Sequence, residues 1–392
     1  MSDEARPRVA LIRRTMKPVK FEHAVTERGI RLIDVAFVLP SFAGGGAQKV
    51  LLTLAARLDR SVYRPTLYVF DARGPWRTLV APNLRLVITN KSRLREALFG
   101  VMRALRADRP DIVVSTMTYV NVGMLLIKPL LRGARIVLRE ANTSRRVADG
   151  VLANFFFKLS YRWLYRCADL VICPARYMAD ELAADHKIDA SRIAVLPNPL
   201  DEEGLRVMAK SPRRRAGEGR CFVAVGRLTS QKGYERLLND FAQLPHDSNL
   251  LIFGEGELRA KLERQIGVLG LGKCVVLAGF DPNPAPWIAG ADALLLPSLW
   301  EGLPNVALEA LACGTPVIAT PEAGAIDEIA EGAPAGAVTI AASGRGFVDA
   351  MSAVKPNKNV DIRTSLLPDI YKLPRSLARF DELLRGLNGP SA

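Results

Sequence analysis

The chain has 392 residues, 49% hydrophobic and 24% charged, enough apolar material for more than one core, which excludes an intrinsically disordered chain. Its five cysteines are scattered and form no close pair, which excludes a disulfide-built scaffold and a cysteine-held metal site. No apolar run approaches the roughly 18 to 20 residues of a membrane-spanning helix, and a formal charge of +14 calls for an acidic partner surface.

Residues 1–33 are basic and lack an apolar stretch, so they read as a disordered tail without a secretion signal. Val35 to Leu39 form a short apolar strand, followed by the loop Pro40-Ser41-Phe42-Ala43-Gly44-Gly45-Gly46-Ala47-Gln48. Val50, Leu51, Leu54, Ala55 and Leu58 then recur at helical spacing. Gly44, Gly45 and Gly46 let backbone approach a ligand and bare the amides of the helix that follows. The rival reading is a dinucleotide site, with Asp71 as the ribose acid after the strand Thr66 to Phe70. Its fingerprint fails, because Lys49 stands where a glycine or alanine is required.

Ile136 to Leu138 form another strand, running into Arg139-Glu140-Ala141-Asn142-Thr143 at the sheet's carboxyl edge, where open parallel sheets bind ligands. Arg139, Glu140 and Asn142 are therefore polar candidates for contact with a ligand there. Val151 to Arg166 interleaves Phe155, Phe156, Phe157, Tyr161, Trp163 and Tyr165 with Lys158, Arg162 and Arg166. Such a helix suits an anionic lipid surface, at about 1 kcal/mol per basic residue. In the competing reading, most of its aromatics are core. Leu196-Pro197-Asn198-Pro199-Leu200 marks a domain boundary, and residues 201–219 read as a basic linker without apolar period. Strands alternate with helical patterns on both sides of it, so the fold class is α/β with two parallel sheets, over residues 34–200 and 220–360.

In the second half, the strand Cys221 to Val225 ends in Gly226-Arg227, and Lys232 follows on the same loop. Arg227 can grip phosphate oxygens bidentately while Lys232 acts as a point charge. Leu250 to Phe253 leads into the glycine turn at Gly254, and Val275 to Phe280 repeats the strand-then-loop pattern. Ala293 to Leu296 is a buried strand, followed by Glu301-Gly302-Leu303-Pro304-Asn305. Pro304 suits the first position of a helix, whose unpaired amides, with those of Gly302 and Leu303, would face an anion. Glu309 lies inside that helix, where its carboxylate can accept from both hydroxyls of a ribose whose diphosphate rests on the helix start. Glu301, still in the loop, is placed for the group beyond the diphosphate. Ser376 to Leu387 closes the chain with a helix expected to pack back on the first domain, within a segment 361–392. The cysteines read as reduced core thiols of a cytoplasmic protein.

The segment from Pro297 to Thr320 resembles the E-x7-E signature of retaining glycosyltransferases of family 4, which have the double-Rossmann GT-B fold, two Rossmann-like domains facing across a cleft. Gly226-Arg227-Leu228 with Lys232-Gly233 is similar to that family's diphosphate-binding segment, and the loop Gly44 to Gly46 to its glycine-rich first loop. The resemblance implies that Glu309 binds the nucleotide ribose, Glu301 contacts the donor sugar, and Arg227 and Lys232 stabilise the diphosphate. It implies a UDP-sugar donor, a glycan or lipid-linked acceptor and no bound metal. With the aromatic, basic helix, such an acceptor points to a peripheral place on the inner face of the cell membrane, and the lack of a recognisable binding module argues against a nucleic-acid partner. Many relatives carry a histidine in the loop that corresponds to the one after Ile136 to Leu138, at or next to the place of Ala141, which leaves Arg139, Glu140 and Asn142 as the acceptor-side polar candidates here. The other outcomes are an epimerase or hydrolase of the same fold, or a catalytically silent sugar-nucleotide-binding protein.

Overall fold

The computed structural model describes residues 31–43, 45–91, 94–144, 151–210, 219–245, 247–357 and 362–388. The expected basic tail falls on residues outside these, apart from its last three positions. The first unit begins with β1 (Ile33–Ser41), α1 (Gly46–Arg57), β2 (Tyr63–Asp71), β3 (Arg85–Ile88) and α2 (Leu94–Asp108). It continues through β4 (Ile112–Thr116), α3 (Thr118–Ile127), β5 (Arg135–Arg139), α4 (Val151–Trp163), β6 (Leu170–Cys173), α5 (Arg176–His186) and β7 (Ile193–Val195). After α6 (Glu202–Ala209) the second unit runs β8 (Arg220–Val225), α7 (Tyr234–Phe241), β9 (Ser248–Phe253), α8 (Arg259–Val268), β10 (Val275–Gly279) and α9 (Ala285–Gly290). It ends with β11 (Ala293–Leu296), α10 (Asn305–Ala312), β12 (Val317–Ala319), α11 (Ile326–Gly332), β13 (Val338–Ile340) and α12 (Arg345–Ala353), before the last helix, α13 (Leu373–Asn388).

Both sheets are parallel, with orders β3-β2-β1-β4-β5-β6-β7 and β10-β9-β8-β11-β12-β13. Their central strands are continuous apolar runs, because helices cover both faces and no alternation is needed. In each sheet the strand order reverses beside the first strand, between β1 and β4 and between β8 and β11. Ligands of open α/β sheets bind at such points, at the carboxyl ends of the strands. The loops that leave β1, β8 and β11 there are those singled out above.

The predicted linker is half helix. Asp201 caps α6 by accepting from Gly204 N at 3.0 Å, and Leu205 and Ala209 are buried. Arg206 donates to the carbonyl of Ala312, at the end of α10, at 2.7 Å. Residues 201–209 thus pack against the second unit; 211–218 lie outside the described residues. The chain crosses between the units twice, and the crossings pair: Leu200 N donates to Tyr371 O and Leu373 N to Leu200 O, both at 2.9 Å. Helix α13 then returns to the first unit, where Phe380 and Leu384 join the core of β1, β2 and α1. The cysteines are free, and Cys167, expected in the core, is exposed at the turn after α4.

Candidate functional site

The loop from β11 to α10 carries the first carboxylate. Helix α10 starts at Asn305, with Pro304 as its extended N-cap and no side-chain cap, so Pro304 stands one position before the first-helical place the sequence suggested. The open amides of that first turn remain available to an anion. Arg206 supports the opposite end of the same helix, where carbonyls favour a cation. Glu301 is buried, and its Oε1 accepts from Lys232 Nζ at 2.5 Å and from Ser298 Oγ at 2.8 Å. The loops after β8 and β11 are thereby tied side chain to side chain. Gln231 joins them again, donating to Trp300 O at 3.0 Å.

Arg227 is exposed; its carbonyl accepts from Thr229 N at 2.8 Å, while its guanidinium has no hydrogen-bond or ion-pair partner among the described residues. Gly226 and Gly254 are in backbone contact: Gly254 has φ +140°, and a Cβ there would lie 1.9 Å from the Gly226 carbonyl oxygen. That approach draws together the loops that leave the adjacent strands β8 and β9. Gly302, Leu303 and Pro304 are buried, with the Gly302 carbonyl accepting from Ala325 N at 2.9 Å.

The first unit closes on this loop from the other side. Tyr177 donates its hydroxyl to the Glu301 carbonyl at 2.5 Å, and Glu328 of α11 accepts from Arg176 N and Tyr177 N at the start of α5. Gly45 is the N-cap of α1, its carbonyl accepting from Trp76 Nε1 at 3.2 Å. Lys49, in the first turn of α1, donates to Glu309 Oε1 at 2.7 Å. Gly44 lies outside the described residues.

The acceptor-side candidates divide. Asn142 is part-exposed beside Gly302, at the seam between the units. Arg139 and Glu140, expected at the cleft, are 1% and 2% exposed and lie beneath it. Glu140 accepts from Tyr161 at 2.8 Å, Tyr165 at 2.5 Å and Asn121 at 3.0 Å. Burial pushes its carboxyl above the ordinary range, against the pull of those donors and of Arg139. Arg139 donates to Asn198 Oδ1, and Asn198 in turn donates to Asn305 Oδ1 at 2.6 Å. Burial lowers the Arg139 guanidinium to about 10. Through Asn198 it links the end of β5 to the start of α10.

Three residues of this arrangement escaped the sequence reading. Lys49 was noted only as the residue that breaks a dinucleotide fingerprint, and Tyr177 carried no signal. His186, outside every motif, stacks on Tyr161 and shares a hydrogen bond with Ser144 at 2.9 Å. His23 and His246 lie outside the described residues, as does any structural account of them. Asp71, the rival ribose acid, is held by Arg73. No group of three or more His, Cys, Asp or Glu able to hold a metal ion is found among the described residues.

Residues 44–203 match the family described as Glycosyltransferase Family 4, and residues 219–355 the family described as Glycosyl transferases group 1. An uncharacterized glycosyltransferase, MJ1059, of Methanocaldococcus jannaschii is 27% identical over 57% of this chain and 58% of its own. The N-acetylgalactosamine-N,N'-diacetylbacillosaminyl-diphospho-undecaprenol 4-alpha-N-acetylgalactosaminyltransferase of Campylobacter jejuni is 31% identical over 51% of this chain and 54% of its own. The chain thus spans just over half the length of these two relatives. Among solved structures, Anabaena Alr3699/HepE in complex with UDP and glucose superposes with a TM-score of 0.73 at 17% identity, over 90% of this chain and 100% of that one.

Proposed function

We propose that this chain, a member of the family 4 glycosyltransferases with the GT-B fold, moves a sugar from a UDP-sugar to a glycan or lipid-linked acceptor in cell-surface polysaccharide or lipopolysaccharide assembly. The observation that carries the reading is the convergence at one cleft of the unpaired Arg227, the Lys232–Glu301 pair, Glu309 and the uncapped start of α10. UDP is supported as the nucleotide by the HepE complex, and a lipid-linked acceptor by the undecaprenol-linked substrate in the name of the Campylobacter relative.

The diphosphate rests on the first turn of α10, with Arg227 and Lys232 at its oxygens, and Glu309 takes the ribose hydroxyls. As the bond from C1 to the phosphate oxygen breaks, negative charge grows on the leaving group. Fixed donors and cations aimed at growing charge are the largest common contribution to catalysis. Glu301, oriented by Lys232 and Ser298, faces the donor sugar. Retention follows a same-face route: the acceptor oxygen bonds to C1 as the phosphate departs, and its proton passes to the departing phosphate oxygen. No side chain is assigned as base, and the cations of the cleft supply the charge that a metal ion would otherwise bring.

Helix α4 supports contact with an anionic membrane. Phe155, Phe156, Leu159 and Trp163 are 61%, 66%, 44% and 60% exposed, next to the basic groups of Lys158, Arg162 and Arg166, while Tyr161 and Tyr165 are fully buried. The helix therefore divides between the two readings of its aromatics. No described helix is long and apolar enough to cross a membrane.

The first test is a thermal-shift series of UDP-, GDP- and ADP-sugars on the wild type and Glu309→Ala. Stabilisation by UDP-sugars that the substitution abolishes is expected; no shift from any donor would overturn the assignment of the site. Conversion of a UDP-sugar to a new sugar nucleotide without acceptor would favour an epimerase instead.

A further inference from the structure

Two helix starts face each other across the cleft, and each carries a charged side chain in its early turns. Gly46, which opens α1, is so near α10 that a Cβ there would lie 2.3 Å from Asn305 Nδ2. Between the same helices, Lys49 Nζ lies 2.7 Å from Glu309 Oε1, the side chains 38% and 14% exposed. We propose that Lys49 is a donor-positioning residue: its ion pair brings the glycine-loop helix of one domain onto the ribose carboxylate of the other, so that nucleotide binding and cleft closure share one carboxylate. The inference rests on the reading of Glu309 as the ribose ligand.

Acceptor capacity favours addition over competition. An ionised carboxylate offers about four lone-pair sites, so the ammonium and two ribose hydroxyls can be accepted together. Charge points the same way. A carboxylate close to a diphosphate repels it, and at low effective dielectric that repulsion is several-fold larger than in water. An ammonium on the carboxylate cancels it without removing the acceptor. The ammonium is also held by the turn after β2, at 5.9 Å from the centre of the Trp76 ring, while Trp76 Nε1 donates to the Gly45 carbonyl. Lys49, Trp76 and Gly45 therefore arrive at Glu309 as one piece.

The test uses the full chain with Lys49→Met, Lys49→Arg, Glu309→Gln and the double substitution Lys49→Met/Glu309→Gln. Without nucleotide, small-angle scattering should show Lys49→Met more open than wild type and Lys49→Arg unchanged. By calorimetry with UDP, Lys49→Met should weaken binding about tenfold, or 1.4 kcal/mol, and Lys49→Arg should restore it. The double variant should bind no worse than Glu309→Gln alone, because both changes remove the same interaction. Wild-type scattering together with wild-type UDP affinity in Lys49→Met, or additive losses in the double variant, would overturn the proposal. If Glu309→Gln binds UDP as wild type, the ribose assignment falls, and the scattering of Lys49→Met alone decides whether the pair closes the cleft. If Glu309→Gln loses binding and Lys49→Met does not, the ribose assignment stands and the role given to Lys49 falls.

Discussion

Arg227 and Lys232 carry the same charge in different physical situations. Arg227 is exposed and unpaired, so its replacement costs the fold almost nothing. Lys232 neutralises a Glu301 side chain that is only 9% exposed. Removing one member of a buried pair strands the other charge, at a cost on the order of 3 kcal/mol. Arg227→Ala and Lys232→Ala should each lower kcat/KM more than tenfold, over about 1.4 kcal/mol, while only Lys232→Ala lowers the melting temperature measurably. Equal melting temperatures with near wild-type turnover in both would remove the diphosphate assignment. These residues were legible because local chemistry announces them: a strand ending in Gly-Arg, and a glutamate just before a proline-led helix start. Arg139 and Glu140 lie deeper than their place at a strand end suggests, for an equally physical reason. The end of a strand fixes where the backbone emerges, but not whether a side chain there turns outward to the cleft or inward to Tyr161, Tyr165 and Asn198. Lys49 was illegible because its meaning depends on Glu309, which only the domain packing brings near.

Helix α4 has two faces with separable jobs. The inner face fixes the helix through Tyr161, together with Tyr165 of the turn that follows, and both hydroxyls serve a fully buried carboxylate; Tyr165→Phe strips a donor from Glu140 and should cost about 1 to 3 kcal/mol. The outer face contributes exposed aromatics to no described core, so Phe155→Ser/Phe156→Ser/Trp163→Ser should leave urea unfolding within about 0.5 kcal/mol of wild type. The same triple variant should lose most of its co-sedimentation with phosphatidylglycerol vesicles. Unchanged sedimentation, or equal binding of the wild type to neutral vesicles, would sink the membrane reading. The sequence showed that this helix mixes aromatic and basic residues, but not which aromatics face the core, since its pattern gives no clean stripe at helical spacing. Helix α6 escaped for a related reason: its exposed Val207 and Met208 blur the short apolar face of Leu205 and Ala209, and the basic run beyond it suggested a solvated linker.

At the scale of the whole molecule, the second domain is an insertion in the first. The chain leaves at Leu200 and returns at Leu373, and the paired backbone of these crossings forms the hinge on which the two sheets are hung. What lies beyond the hinge in sequence, α13, belongs to the first domain: Phe380 packs with its ring centre 6.4 Å from that of Phe37, and Tyr63 donates to Asp381 at 2.7 Å. The two domains are joined by polar contacts, the Lys49–Glu309 pair, Asn198 with Asn305, and Glu328 at the start of α5, and by a buried apolar cluster to which both contribute residues. Two apolar cores thus lie within single domains and a third is shared between them, with the polar contacts beside it. Phe380→Ala empties a fully buried site and should cost about 3 to 5 kcal/mol. That loss falls on the first domain, whereas Arg227, Lys232 and Glu309 stand on the second. Followed by urea unfolding with tryptophan fluorescence, Phe380→Ala should show an early transition for the first domain, and at low urea it should keep UDP binding within about tenfold of wild type, the share that closure contributes through Lys49. A single transition in which UDP binding disappears together with the first domain would show instead that the hinge transmits unfolding and that the two domains stand or fall as one cooperative unit.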